Sequence, residues 1–155
     1  MNRLPLALRP LILCLLALIW GCDKDRSAAS GLPTIQMQIG SKSFTLELAD
    51  NDRDRKYGLM RRDSLASDHG MIFVFAREAP LSFYMRNTRI PLDILYLDRA
   101  GKIVSIKQMK PFDESSVPSD EPAQFAVELN EGAADSVGVK VGATLLIPPS
   151  IRAKD

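Results

Sequence analysis

The sequence predicts a mainly β protein, a β-sandwich or barrel-like domain of about eight strands with two short helices. Three observations carry that expectation. Short segments such as "TIQMQIG" and "SFTLELA" alternate apolar and polar residues with a period of two. Clusters of Gly, Pro, Asp and Ser separate these segments at short intervals, as turns between strands do. Helix start and stop signals frame only two brief stretches.

Each element has its own signal. In residues 34–40, Ile35, Met37 and Ile39 share one face, and in 43–49 Phe44, Leu46 and Leu48 do likewise. Gly40-Ser41-Lys42 joins the two runs, which predicts a β-hairpin with one buried face. Asp50, Asn51, Asp52 and Asp54 then crowd a helix start, where acids suit the positive end of the helix dipole. Gly58 is placed as its stop, so a helix of about two turns is expected. "GMIFVF", residues 70–75, is a continuous apolar strand, and "REAP" after it is a turn. "SFYMRNTRIPLDILYLD", residues 82–98, supplies two more strands around the polar centre Arg86-Asn87-Thr88-Arg89. "DRAG" turns into an alternating strand over 102–109. Residues 110–121 hold two prolines and a cluster of acids without a period, the mark of a long surface loop. Residues 123–130 return to strand, "EGAADSVGV" is a short helix closed by Gly138, and "ATLLIPP" is the last strand.

The N-terminal residues stand apart from this pattern. "MNRLPLALRP" carries two arginines and no acid, and an unbroken apolar run follows at 11–19. A charged segment before a short apolar one is the anatomy of a secretory signal peptide, here residues 1–21. "IWGCDK" resembles the lipobox of bacterial lipoproteins, which implies cleavage before Cys22 and lipidation of its sulfur. Each buried methylene contributes about 0.8 kcal/mol, so two or three acyl chains hold a protein at a membrane stably. Residues 22–33 then form the lipidated cysteine and a polar tether, with a reach of roughly 18 Å. A single mainly β domain is expected over 34–150. Cleavage takes the formal charge from +1 to −1, because Arg3 and Arg9 are lost. A near-neutral domain has no broad basic field, so nucleic acid is excluded as a partner.

Chemistry-bearing constellations are sparse. His69 is the single histidine, and Cys22 is taken by lipid, so no nitrogen and sulfur set for zinc remains. "DNDRD" imitates the opening of a calcium loop, but Arg55 and Arg61 stand where glycine and glutamate belong. Helix capping explains those acids better. No G-x-S-x-G elbow exposes a serine. Met37, Met60, Met71, Met85 and Met109 fall on different elements and read as core filling, not as copper ligands. No metal or cofactor is expected. Asp93, in apolar company, is a weak candidate for a catalytic acid or base.

"RKYGLMRRDSL" (55–65), "HGMIFVF" (69–75) and "SFYMRNTRIPLDILYLDRAGKIV" (82–104) resemble the prokaryotic family known as domain of unknown function 192, with a weaker match in "FAVELNEGAADSVGVKVG" (125–142). The resemblance implies a mainly β, sandwich-like fold, often in an exported or anchored protein, and no established reaction. Its polar positions fall here on Arg55, Arg62, Asn87, Thr88 and Asp93. Buried among strands, such groups must pair, since an unsatisfied one costs about 1 to 3 kcal/mol. Asn87 and Thr88 are expected to shape the bend between strands, Pro91 to fix its exit, and Asp93 to face Arg62 or the bend's amides. The same groups could instead form a cleft for a small polar ligand.

The leading expectation is therefore a lipid-anchored, non-enzymatic cell-envelope domain that binds a small polar ligand, a glycan or a protein partner. A hydrolase-like enzyme using Asp93, with Arg62 and Asn87 holding an anion, is the first alternative. A structural or assembly role at the envelope is the second. The oligomeric state is left open.

Overall fold

The computed structural model describes residues 31–151. The signal peptide, Cys22 and the tether up to residue 30 lie outside the described residues. Among the described residues, no helix is long and apolar enough to cross a membrane.

The fold is mainly β, with eight strands in two sheets and two short helices. The strands are β1 (Thr34–Ile39), β2 (Lys42–Ala49), β3 (His69–Ala79), β4 (Ser82–Phe83), β5 (Leu92–Leu97), β6 (Ile103–Met109), β7 (Val117–Pro118) and β8 (Ala123–Asn130). Helix α1 spans Asp52–Tyr57, α2 spans Ala133–Ser136, and a 3-10 turn covers Pro149–Ile151. Six strands form one open sheet in the order β1-β2-β3-β8-β5-β6, and β4 pairs with β7 in a small second sheet. Only β2 and β3 run parallel. A parallel pair cannot be joined by a tight turn, and α1 with the loop behind it makes the crossover.

Local chemistry explains most of these elements. The β1–β2 hairpin turns at Gly40, whose φ of 56° favours glycine. Helix α1 starts where the Asp54 amide donates to the Asn51 side chain at 3.0 Å. It stops at Gly58, with φ of 50°. None of its residues is buried, so its place depends on side chains reaching outward.

The six-stranded sheet is covered on both faces. One core holds Phe44, Leu46, Ile72, Leu95, Val127 and Leu129, closed by Ala134 of α2 and by Val137, Val139, Leu145 and Ile147. The opposite core holds Met71, Phe73, Leu92, Ile94, Tyr96 and Ala126, closed by Leu59, Leu81, Met85 and Ile90. Double coverage is why β5 is buried at all six positions and is apolar apart from Asp93.

The expected elements differ from the observed ones in three places. Strand β3 continues through Ala79, so the chain turns at Pro80 and not across "REAP". Residues 110–121 are not entirely loop, because Val117–Pro118 pair with β4. Residues 143–149 are not a strand: Thr144 makes one isolated bridge to Lys102, and a 3-10 turn follows. Leu145 and Ile147 still point into the core while Leu146 between them is 78% exposed. The alternation was real, but tandem prolines and the lack of a continuous partner strand leave the segment outside the sheet.

Candidate functional site

The sheet register sets Glu47, Met71, Glu128 and Ile94 in one row across β2, β3, β8 and β5. Side chains in such a row share a face. Two acids thus enter the apolar core that covers this face, at 6% and 5% exposure. Glu47 is answered by Arg62. Its Nη1 and Nη2 donate to Glu47 Oε1 and Oε2, each at 2.6 Å, a bidentate pair in a dry setting. The backbone after α1 delivers Arg62 there: Arg61 adopts a φ of 62°, and its amide donates to the Asn87 carbonyl at 2.8 Å.

Glu128 has no such partner. No hydrogen bond from the described residues reaches its carboxyl, yet no buried side-chain oxygen is both sealed from solvent and unpaired. Its carboxyl therefore opens onto the cavity that it lines. Burial pushes Glu128 up to about 8, and the nearby Arg62 charge offsets this only in part. Burial thus favours its protonated form.

The cavity has a volume of about 280 Å³. Helix α1 and the turn after it form one wall, with Arg55 and Tyr57. The opposite wall is Phe83, Tyr84 and Thr88, held by the small sheet, and Phe73, Phe75 and Glu128 form the floor. Phe83 is the centre of the aromatic packing. Its ring meets Phe73 edge-on at 4.9 Å, Tyr96 at 5.8 Å and Phe75 at 6.4 Å. The Tyr96 hydroxyl is spent on the Val117 carbonyl, and burial raises its pKa. Arg55 is engaged as well. It donates to the Val74 carbonyl at 2.7 Å and to Asp52 at 2.6 Å, and lies over the Phe75 ring at 5.2 Å. Its role is to fasten α1 to β3 as a wall. What the cavity offers an occupant is aromatic surface and the Glu128 carboxyl, with Lys56, Tyr57 and Thr88 also in its lining.

The model of the family DUF192, described as "Uncharacterized ACR", matches residues 35–147. The chain belongs to DUF192. No curated protein matches it. A crystal structure from Novosphingobium aromaticivorans, of a protein of unknown function, is 31% identical with a TM-score of 0.72, covering 77% of this chain and 89% of its own. A second, of a candidate transcription regulator from Sinorhizobium meliloti, is 35% identical with a TM-score of 0.68, covering 73% of this chain and 91% of its own.

In this DUF192 chain the five residues singled out by sequence do not converge. Arg55 and Thr88 line the cavity, and Arg62 stands beside it, bound to Glu47. Asn87 is exposed, with a φ of 56° in a turn closed by the Thr88 amide donating to the Met85 carbonyl at 3.1 Å. That turn is the expected bend. Asp93 departs from expectation. It faces the other core, 2% exposed, and Oδ2 accepts from the Ala134 amide at 3.0 Å. It therefore holds the first turn of α2 and touches neither Arg62 nor the bend. Asp93→Ala should lower stability by about 1 to 3 kcal/mol, the loss for an orphaned buried amide. Urea midpoints check this, and a change below about 0.5 kcal/mol would refute that role.

Sequence reasoning passed over Glu47, Glu128 and the phenylalanine cluster. A signal for Glu128 was present: it is the one acid inside the apolar strand "AQFAVELN". Only the sheet order could show that it meets a cavity.

Proposed function

We propose that this protein is a non-enzymatic binding module that takes a small ligand into the aromatic cavity above Glu128, and that lipid on Cys22 tethers it to the cell envelope after export. The carrying observation is a buried carboxyl, without a protein hydrogen bond, at the floor of a cavity of about 280 Å³. Ligand sites run from about 300 to 1,000 Å³, so this one is at the small end and suits a ring or two, not a polymer. The lipid tether rests on the signal-peptide pattern and the cysteine that follows it.

A hydrolase built on Asp93, Arg62 and Asn87 draws no support from their placement, since Asp93 is enclosed and on the opposite face. A protonated Glu128 would suit a general acid, but the carboxylate nearest in the row, Glu47, is held by Arg62. The regulator description of the Sinorhizobium relative finds no counterpart in charge, because the net value here is +1.

A thermal-shift screen of the full-length protein in detergent, using monosaccharides, short peptides and aromatic heterocycles, tests the binding reading. A hit at a hundredfold over Kd stabilises by about 2.7 kcal/mol, a rise of several degrees in Tm. Tyr84→Ala, at the cavity rim, should reduce that rise. The absence of any shift across the panel would remove the small-molecule reading. Mass spectrometry of the mature N-terminus tests the tether, with a diacylglyceryl group on Cys22 as the expected result and an unmodified cysteine as the contrary one.

A further inference from the structure

We infer that the cavity recognises a planar heterocycle bearing a lactam-type edge, a ring N–H beside a ring carbonyl, through paired hydrogen bonds to the Glu128 carboxyl. This rests on the binding reading above and specifies its ligand.

The argument starts from what Glu128 lacks. A carboxyl that is nine-tenths buried without a protein donor must find its partner in the ligand or in water. Its surroundings decide the form in which it does so. Around it are Met71, Phe73, Phe83 and Tyr96, and the nearest cation, Arg62, is already neutralised by Glu47. The other charges at the cavity are on α1, where Asp52 pairs with Arg55 and Lys56 is exposed at the mouth. Of β3, His69 is held by Asp68 at 2.8 Å and Arg77 is exposed near the strand's far end, and Lys107 of β6 is bound to Asp120 at 2.7 Å. The Arg62 charge favours a carboxylate only in part, and burial, the larger effect, favours the neutral acid.

A neutral carboxylic acid presents one O–H donor beside one carbonyl acceptor. The edge that answers both at once carries an acceptor beside a donor, as a cis amide within a ring does. The walls ask for the same shape. Phe73, Phe75, Phe83 and Tyr84 offer flat apolar surface, on which a planar ring packs with little conformational entropy to lose. An ammonium ligand is the competing chemistry; it would require Glu128 to ionise in this buried setting, and the Arg55 and Lys56 cations would repel it.

The two chemistries respond oppositely to pH and to one substitution. Calorimetry of the full-length protein in detergent would use 2-pyridone as the probe, with 1-methyl-2-pyridone and benzylamine as comparisons. The expected result is that 2-pyridone binds at least tenfold tighter than its N-methyl form. Its affinity should fall about tenfold per pH unit above the Glu128 pKa of about 8. Glu128→Gln keeps a donor beside an acceptor, so it should retain binding and abolish that pH dependence, whereas Glu128→Leu should lose binding. Equal affinity for both pyridones, tighter binding of benzylamine, affinity rising with pH, or a folded Glu128→Gln protein that no longer binds would each overturn the lactam assignment. If benzylamine binds and Tyr84→Ala weakens it, the binding module stands and the lactam falls. If none of the three probes binds while sugars or peptides shift Tm, the lactam again falls alone; silence from every compound overturns both.

Discussion

Glu128→Gln is expected to be more stable than the parent protein at pH 8, and about equally stable at pH 5. Folding lifts this carboxyl from 4.5 to about 8. Between those values the folded protein holds a proton that the unfolded chain has released. Stability therefore falls as pH rises through that interval and levels off above it. The gap corresponds to about 4 to 5 kcal/mol, an upper bound because water in the cavity screens the ionised form. Glutamine matches glutamic acid in shape and cannot ionise, so its curve lacks this slope. The difference between the two urea-midpoint curves therefore reports chiefly on this one carboxyl. Parallel curves from pH 5 to 9 would mean that Glu128 is solvated like a surface acid and that the cavity floor is not a desolvated site.

Breaking the neighbouring pair should have an effect of comparable size and opposite sign. Removing one partner of a buried ion pair costs about 3 to 5 kcal/mol, because the charge left behind is desolvated and unanswered. Arg62→Met acts in this way, since both 2.6 Å hydrogen bonds from the guanidinium to the buried Glu47 carboxylate vanish together. The double replacement Arg62→Met with Glu47→Leu should recover most of the loss, as apolar pairs of similar volume often match a buried salt bridge. Glu47→Gln differs again. It leaves Arg62 charged with Glu128 nearby, so Glu128 should ionise to take up the arginine, and the downward slope of stability with pH should shrink. Chemical denaturation of the four proteins at pH 6 and pH 8 reads all of this. A loss below about 1 kcal/mol in Arg62→Met would place the pair in water, where such contacts contribute little.

Much of the fold was legible because it is local. The Gly40 turn, the Asn51 cap and the stop at Gly58 all act within a few residues of one another. The strands β5 and β8 were visible as short, largely apolar segments. What escaped depends on distant pairing. Val117–Pro118 has no strand signature of its own and is a strand only because Ser82–Phe83 lies opposite. Residues 143–149 have the signature and lack the neighbour. The site divides in the same way. Arg55 and Thr88 were marked by the family pattern and do line the cavity. Asp93 was marked too, but the period of two along β5 turns it away from Ile94's face and towards α2. Arg62's partner lies in β2 and the cavity's acid in β8, strands brought into one row only by the parallel placement of β3 between them.

The position of β8 ties the site to the order in which the molecule can assemble. Although it is the last strand in the chain, it lies in the middle of the sheet, between β3 and β5. Before residues 123–130 dock, the β1–β2–β3 unit and the β5–β6 hairpin share no edge, and each exposes a strand with unmet hydrogen bonds. Closing that gap joins segments far apart along the polypeptide, the slow kind of step in β-rich folding. The strand that closes it also carries the lone carboxyl. Maturation of the sheet and creation of the receptor floor are thus a single event, and a chain stalled short of it has neither.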